Sequence, residues 1–247
     1  IIHSNNFLFY KYILNKNIDI IIVDDGSTDS THSVVQKYID AKVVRYFFQT
    51  NAGPGAARNK GLVEALGDYI CFLDADDEIV EGSLSRRISF LEKNSDINLV
   101  FTDFYKFDSP ITFNIHFKEN DFLKKFSMAI LDRHEDEYIF GDKFLECALK
   151  YNPFILTSTV MMRSCMVNEI GLFNVSLKVA EDSDYWLRVS RKYKIGYLNQ
   201  PLTKYNNFRS CLTKDMVKIF EDPIVFYRNL LLELDYEKYG RLIRKKI

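Results

Sequence analysis

Residues 68–77 read Asp68-Tyr69-Ile70-Cys71-Phe72-Leu73-Asp74-Ala75-Asp76-Asp77. The apolar middle of this stretch predicts a buried strand, and the strand runs directly into three carboxylates. Carboxylates this close repel one another unless a cation or hydrogen-bond donors lie between them. Mg²⁺ in proteins is often held by one or two carboxylates together with substrate phosphates. The stretch therefore indicates a metal and diphosphate site at a strand end, and a solvated acidic turn is the alternative.

Predicted strands alternate with predicted helices on both sides of this stretch. The strands are expected at residues 18–23, 43–48, 68–73 and 98–105, and the helices at about 31–39, 56–65 and 83–93. This alternation predicts an α/β fold with a mostly parallel sheet flanked by helices. Ligands bind such sheets at the carboxyl ends of the strands, which is where the acidic residues fall.

The pattern is looser in the second half of the chain. We expect helices and loops over 109–152, strands at 154–162 and 194–198, a helix at 182–192, and one or two helices over 222–247. Together these elements predict a main domain of residues 1–210, with a shortened N-terminal strand, and a helical C-terminal extension of residues 211–247.

Composition narrows the class of protein. The 247 residues are 47% hydrophobic, which suits one large folded domain, and the net charge of −1 argues against a nucleic-acid partner bound through bulk charge. No apolar run is long enough to span a bilayer, no signal peptide is visible, and the four cysteines form no CxxC pair. We expect a cytoplasmic location, with peripheral contact of the basic C-terminal end at the inner membrane face left open.

A second acidic cluster follows the strand at 18–23. Asp24 and Asp25 lie at its tip, and Gly26 and Ser27 come next. A carboxylate there can accept the ring N–H of a pyrimidine base. An Asx turn and helix cap would use the same residues, so both interpretations stay open.

Residues 51–59, from Asn51 to Asn59, form a loop with two glycines before a helix. The glycines permit close approach of the backbone, and Arg58 can bind phosphate or carboxylate through two parallel hydrogen bonds. The loop fits neither the dinucleotide-binding nor the P-loop pattern. A structural ion pair of Arg58 explains the sequence equally well.

A third acidic cluster, Glu181-Asp182-Ser183-Asp184, opens the helix that carries Trp186. One of its carboxylates could be a general base that deprotonates an acceptor hydroxyl. Acidic residues at a helix start are also favoured by the helix dipole alone.

Four segments together resemble the family 2 glycosyltransferases, which are inverting enzymes with the GT-A fold. The segments are residues 21–29 (IIVDDGSTD), 51–61 (NAGPGAARNKG), 67–77 (GDYICFLDADD) and 181–188 (EDSDYWLR). Their order and approximate spacing match the family, and the resemblance covers residues 18 to 210.

The resemblance implies a donor side and an acceptor side. On the donor side, Asp25 would contact the uracil of a UDP-sugar, Asp74 would bind ribose or assist the metal, and Asp76 would ligate Mn²⁺ or Mg²⁺. The nucleotide-sugar side would also include Asn51 and Arg58.

On the acceptor side, Asp182 would be the base, while Glu181 and Trp186 would shape the acceptor pocket. The implied function is metal-dependent, inverting transfer of a hexosyl or N-acetylhexosaminyl group from a UDP-sugar to a glycan or lipid-linked hydroxyl.

The sequence departs from the family in two places. Little sequence precedes the strand at 18–23, where members usually have a complete strand and helix. Residues 205–208 (YNNF) stand where many members carry Tyr-Arg-x-His, which leaves the third protein metal ligand open. These departures motivate the alternative of an impaired relic that binds nucleotide sugar or carbohydrate. A phosphoryl-transfer enzyme is a third hypothesis, but it leaves Glu181, Asp182 and Trp186 unexplained.

Overall fold

The structure is a computed structural model, and it describes residues 18–109, 112–153, 155–207, 225–230, 232, 234 and 236–246. Its strands and helices form an α/β fold, as predicted. The expected short N-terminal strand lies outside the described residues.

The first β-unit carries the Asp24-Asp25 cluster. Strand β1 (Ile21–Asp25) pairs in parallel with β2 (Arg45–Gln49), and helix α1 (Thr31–Asp40) connects them. A small core of Val35, Tyr38 and Val44 lies under this unit. Helix α2 (Pro54–Glu64) follows and packs on β1. These elements agree with the sequence prediction to within three residues at each end.

A larger mixed sheet contains the other strands. They are β3 (Tyr69–Cys71), β4 (Glu78–Ile79), β5 (Leu99–Phe107), β6 (Phe113–Ile115), β7 (Ile130–His134), β8 (Glu137–Phe140), β9 (Met161–Arg163) and β10 (Ile195–Asn206). The sheet order is β3-β9-β5-β10-β8-β7, with β4 paired to β10 and β6 to β5. Strands β5 and β10 pair in parallel, whereas the other pairings described in this sheet are antiparallel. The prediction of a mostly parallel sheet is therefore wrong for this sheet, because hairpins and long-range antiparallel partners that the strand–helix alternation does not reveal complete it.

Helices cover both faces of this sheet. The remaining helices are α3 (Ser83–Lys93), α4 (His116–Glu119), α5 (Phe122–Lys125), α6 (Lys143–Tyr151), α7 (Met166–Ile170), α8 (Glu181–Ser190) and α9 (Tyr236–Arg244). Along β5, Leu99 and Phe101 belong to the main core, and Val100 packs in a second core on the other face with Phe90 of α3. Burial on both faces explains why β5 reads as an apolar run.

Two predictions for the second half of the chain are wrong. A strand was expected at 154–162, but a 3₁₀ turn (Thr157–Thr159) precedes the short strand β9. The Thr159 hydroxyl donates to the Leu156 carbonyl (2.7 Å), a local bond that favours a turn over a strand. Residues 109–152 were expected to hold only helices and loops, yet they contain β6 and the β7–β8 hairpin.

The C-terminal helices pack on the main domain. Residues 225–230 are helical, and α9 buries Tyr239 and Ile243 in a cluster with Leu145 and Leu149 of α6. Among the helices that the structure describes, none combines the length and apolar character needed to cross a membrane.

Candidate active site

Asp25 holds the loop after β2 against the end of β1. Its Oδ1 accepts hydrogen bonds from Gln49 Nε2 and Ala52 N, and its Oδ2 accepts one from Gly53 N, each at 2.8 Å. A carboxylate has about four acceptor positions, and the described residues use three of them. The predicted contact of Asp25 with a base therefore stays a prediction, although the residue also has a structural role.

The Asp24 carboxylate holds the turn that follows β1, while the Asx-turn bond of this region is made by Asp29, whose Oδ1 accepts from Thr31 N at 2.9 Å. The Oδ1 of Asp24 accepts from Ser27 N (2.8 Å) and its Oδ2 from the Tyr46 hydroxyl (2.6 Å). Burial opposes ionisation, but these hydrogen bonds outweigh it and lower the pKa of Asp24. Next to it, Gly26 has a φ of +81°, and a Cβ there would lie 2.7 Å from Asn51 N. Glycine is thus required where the β1 turn meets the exposed Asn51.

The carboxylates after β3 point in different directions. Asp77 is buried, with its Oδ2 accepting from the Ser158 hydroxyl at 2.6 Å, while Asp74 and Asp76 are partly exposed. The same Ser158 oxygen accepts from Asp74 N (3.0 Å), and the Asn206 amide donates to the Asp76 carbonyl (2.5 Å). Backbone and side-chain bonds therefore fix the loop and leave two carboxylates at its surface.

Burial, together with the neighbouring charges of Asp74 and Asp76, raises the pKa of Asp77 to about 8. Hydrogen bonds from Ser158 and Asn206 act in the opposite direction. Its Oδ1 has no hydrogen-bond partner among the described residues. Asp77 is therefore a buried structural acid beneath the loop, whereas Asp74 and Asp76 supply its accessible carboxylates.

Ser158 is a site residue that sequence reasoning missed. It belongs to a buried block in which its carbonyl accepts from Thr203 Oγ1 (3.2 Å) and from the fully buried Arg87 Nη1 (3.5 Å). The available signal was three consecutive hydroxyl residues, 157–159, inside an apolar run. Buried hydroxyls need partners, so such a run indicates a polar contact rather than a plain strand.

Arg58 joins the Asp74 loop to helix α8. Its Nη1 lies 2.5 Å from Glu181 Oε1, and its Nη2 lies 3.0 Å from Asp74 Oδ1. The two carboxylates are far apart in the sequence, yet one guanidinium contacts both. The structural ion pair that the sequence left open is present, and direct contact of Arg58 with a donor stays a prediction.

The start of α8 holds two acids with perturbed ionisation. Burial and the charge of Asp182 raise the pKa of Glu181 to about 7, although Arg58 acts in the opposite direction. Burial also raises the pKa of Asp182, whereas Arg58 and the amide of Ser183 (2.6 Å) lower it. A carboxylate whose pKa is moved towards neutrality can accept a proton as a general base.

Trp186 lies one turn further along α8. Its ring packs edge-on against Phe72, Phe173 and Tyr185, and only 5% of the residue is exposed. Its Nε1 has no hydrogen-bond partner among the described residues. The ring is thus part of the core. If Trp186 contacts an acceptor, as predicted, this N–H is the group that would make the contact.

The fit of a divalent cation depends on the accessible carboxylates. Within the described part of the chain, no group of three or more His, Cys, Asp or Glu side chains is arranged to hold a metal. The accessible donors are the carboxylates of Asp76 and Asp74, and Asp74 is shared with Arg58. One or two carboxylates fit a Mg²⁺-type ion that takes its other ligands from water and a diphosphate.

Comparisons with known proteins find related sequences. The family model described as glycosyl transferase family 2 matches residues 9–168. The amylovoran biosynthesis glycosyltransferase AmsB of Erwinia amylovora is 33% identical over 198 residues, covering 77% of this chain and 60% of AmsB. An uncharacterized glycosyltransferase of Rickettsia felis is 28% identical over 192 residues, covering 77% of this chain and 28% of that protein. The chain thus spans only part of the length of these relatives.

The fold also matches solved structures. S. aureus TarS 1-349 in complex with UDP-GlcNAc superposes with a TM-score of 0.67 and 19% identity, covering 93% of this chain and 62% of TarS 1-349. The same TarS fragment in complex with UDP gives a TM-score of 0.61 and 19% identity, with 93% and 61% covered. At this identity the similarity concerns the fold.

Proposed function

Because the chain belongs to glycosyl transferase family 2, we propose that it transfers a sugar from a UDP-sugar to a hydroxyl of a glycan or lipid-linked acceptor, with inversion at the anomeric carbon. The observation that carries the proposal is the bridge from Asp74 through Arg58 to Glu181. It brings the acidic loop and the start of α8, which are distant in sequence, to one side of the molecule. The UDP and UDP-GlcNAc complexes of TarS support a UDP-linked donor.

Asp182 is the proposed base. It takes the proton of the acceptor hydroxyl while the hydroxyl oxygen attacks the anomeric carbon opposite the leaving UDP. The bond from the sugar to the diphosphate oxygen breaks, and UDP leaves with the bonding electrons. The raised pKa of Asp182 supports this role because a stronger base accepts the proton more readily.

The donor side comprises Asp25, Asn51 and Asp74, with Arg58 bonded to Asp74 and with Asp76 as the metal ligand. The acceptor position of Asp25 that no described residue uses suits a uracil N–H. A Mn²⁺ or Mg²⁺ ion bound at Asp76 would offset the negative charge that develops on the leaving diphosphate.

Glu181 and Trp186 belong to the acceptor side of the proposal. AmsB is named for amylovoran biosynthesis, which supports a glycan acceptor here. The exposed Arg241, Arg244 and Lys245 near the C-terminus are compatible with contact to an anionic membrane surface and a cytoplasmic, membrane-peripheral location.

Two substitutions test the proposal. Asp76→Asn should abolish the metal-dependent part of UDP binding, measured by calorimetry with and without Mn²⁺, because it removes the proposed ligand. Asp182→Asn should leave UDP binding within about threefold of wild type but reduce transfer by roughly 100-fold or more, since a general base contributes 10²–10⁴-fold. Transfer would be followed by UDP release with a panel of UDP-sugars and glycan acceptors.

Asp184→Asn is the matched control on the same helix. Asp184 pairs with Arg188 of the same helix, at 2.9 Å. Its replacement should leave transfer unchanged. Normal turnover by Asp182→Asn would show that the base is assigned wrongly. UDP binding without transfer in the wild-type chain would favour the alternative of a relic that binds nucleotide sugar.

A further inference from the structure

Arg58 is placed to act on both halves of the proposed site. Its side chain is 12% exposed and that of Glu181 is 7% exposed, so their ion pair is largely removed from water. The other arm of the guanidinium reaches both oxygens of Asp74, at 3.0 and 3.2 Å. A buried charge that loses its partner is costly, so the positions of these three side chains depend on one another.

The residues next to Arg58 anchor α2 to the segment that leads into α8. The Asn59 side chain donates to the Phe173 carbonyl (2.9 Å) and accepts from Phe173 N (2.7 Å). At Gly55, a Cβ would lie 3.4 Å from Glu181 Cγ, so the helices approach closely there. These contacts set the distance from which the guanidinium reaches Glu181.

We propose that Arg58 is a positioning residue: it holds Asp74 and the Glu181–Asp182 pair at a fixed separation, so that the donor and the base meet in the correct geometry. The inference rests on the proposed function and deepens it. Arginine suits this role because its planar fork can serve two carboxylates at once, whereas a lysine ammonium is a compact point charge.

Charge is the second part of the role. Three carboxylates surround the guanidinium: Asp74 from the loop after β3, and Glu181 and Asp182 from α8. Arg58 lowers the pKa of both Glu181 and Asp182. Lys178, which precedes α8, directs its ammonium to the Ala52 carbonyl at 2.7 Å. Without Arg58, Glu181 and Asp182 would repel each other more strongly and take up protons at higher pH.

Arg58→Lys separates positioning from direct donor contact. If Arg58 positions, kcat should fall about 10- to 100-fold while the Kd for UDP and the KM for the UDP-sugar change less than about threefold, because a shift of about 1 Å can cost 100-fold in rate. If Arg58 instead binds the diphosphate, the Kd for UDP should rise at least tenfold with kcat at saturation unchanged. That second pattern overturns the inference.

A pH profile tests the charge effect. In Arg58→Gln, the acid limb of kcat/KM should move to higher pH, since the base now keeps its proton at a pH where the wild-type base has lost it. An unmoved acid limb contradicts the proposed coupling of Arg58 to the base.

Arg45→Lys is the matched control. Arg45 also joins two carboxylates, Asp19 at 2.9 Å and Glu64 at 3.1 Å, but at the start of β2, opposite the end that carries Gln49 and the donor loop. Its kinetic constants should equal those of the wild type. A comparable loss of kcat in Arg45→Lys would mean that any broken ion pair slows the enzyme.

A stability measurement keeps the inference distinct from the proposed function. If the wild type transfers no sugar from any UDP-sugar tested, the proposed function is wrong. The Arg58 bridge between Asp74 and Glu181 is then tested by urea unfolding of Asp74→Asn, Glu181→Gln and the double variant. Shared bonding to Arg58 predicts non-additive changes in the unfolding midpoint, and these should become additive in the Arg58→Met background. Additive changes with Arg58 present overturn the inference.

Discussion

Ser158 shows how much one side chain can fix in this molecule. Its buried hydroxyl accepts from the Asp74 amide and donates to the Asp77 carboxyl, so the Ser158 oxygen is hydrogen-bonded to both ends of the acidic loop. Because a hydroxyl is both donor and acceptor, serine or threonine can do this and alanine cannot.

Ser158→Ala should lower the free energy of unfolding by about 1–3 kcal/mol, because it removes one hydrogen bond from the part-buried Asp74 amide and one from the buried Asp77 carboxyl. It should also weaken metal-dependent UDP binding, since the Asp74–Asp76 loop loses its anchor. Urea unfolding and calorimetry would measure the two effects.

Thr159→Val is the control for this prediction. It removes a buried hydroxyl of the same turn that donates to the Leu156 carbonyl and not to the acidic loop. It should reduce stability without changing UDP binding. Equal loss of UDP binding in both variants would show that Ser158 has no specific link to the loop.

The acidic residues of the candidate site could be recognised in the sequence before their hydrogen-bond partners were known. The acidic clusters were identified because acidic residues followed a buried strand or opened a helix, and the resemblance to the family then selected Asp74, Asp76 and Asp182 within them. The sequence did not reveal that Asp77 faces inward or that Asp25 binds the chain's own amides. Hydrogen-bond partners distant in sequence decide such details, and no local pattern encodes them.

At the scale of elements, β10 and α3 meet at Gly196. A Cβ on Gly196 would lie 2.3 Å from Phe90 Cε1 and 3.2 Å from the Leu99 carbonyl oxygen. Phe90 is 1% exposed and belongs to the core between α3 and the sheet. The close packing of helix on sheet therefore depends on the missing side chain.

Gly196→Ala should lower the free energy of unfolding by about 1–3 kcal/mol, as overpacking of a well-filled core does. Chemical denaturation would measure the loss. Gly141→Ala is the comparison variant, since a Cβ there would meet only the Leu131 side chain, at 3.7 Å. If Gly196→Ala were as stable as Gly141→Ala, the contact of α3 with β10 would be looser than described.

Element prediction succeeded where the pattern was strong and local. Helix α3 begins and ends at the predicted residues, Ser83 and Lys93, because its apolar side chains recur on one face. Strand β10 was predicted to end at Leu198 but continues to Asn206. Its second half pairs with β4 and the end of β5, and such long-range partners do not appear in a local pattern.

At the scale of the whole molecule, the candidate site is assembled from separate parts of the chain. The end of β1, the loop after β3 and the start of α8 contribute to it, and unfolding would separate them. A donor nucleotide should therefore bind the folded state in preference to the unfolded chain, and it should stabilise the fold by mass action.

UDP with Mn²⁺, at 100 times its Kd, should stabilise the fold by about 2.7 kcal/mol. For a domain of this size, that corresponds to a rise in Tm of about 5–10 °C at 2–4 °C per kcal/mol. Differential scanning fluorimetry would measure it, with ADP and Mn²⁺ as the control ligand. A cooperative transition whose Tm UDP leaves unchanged would argue against nucleotide-sugar binding.

The amino-acid pattern alone was sufficient for the α/β class, for the main helices and for the three acidic clusters, because these depend on neighbours within a few residues. The mixed pairing of the larger sheet, the inward turn of Asp77 and the Arg58 bridge from Asp74 to Glu181 became visible only in the folded chain. They depend on contacts between residues far apart in sequence, and packing in three dimensions creates those contacts.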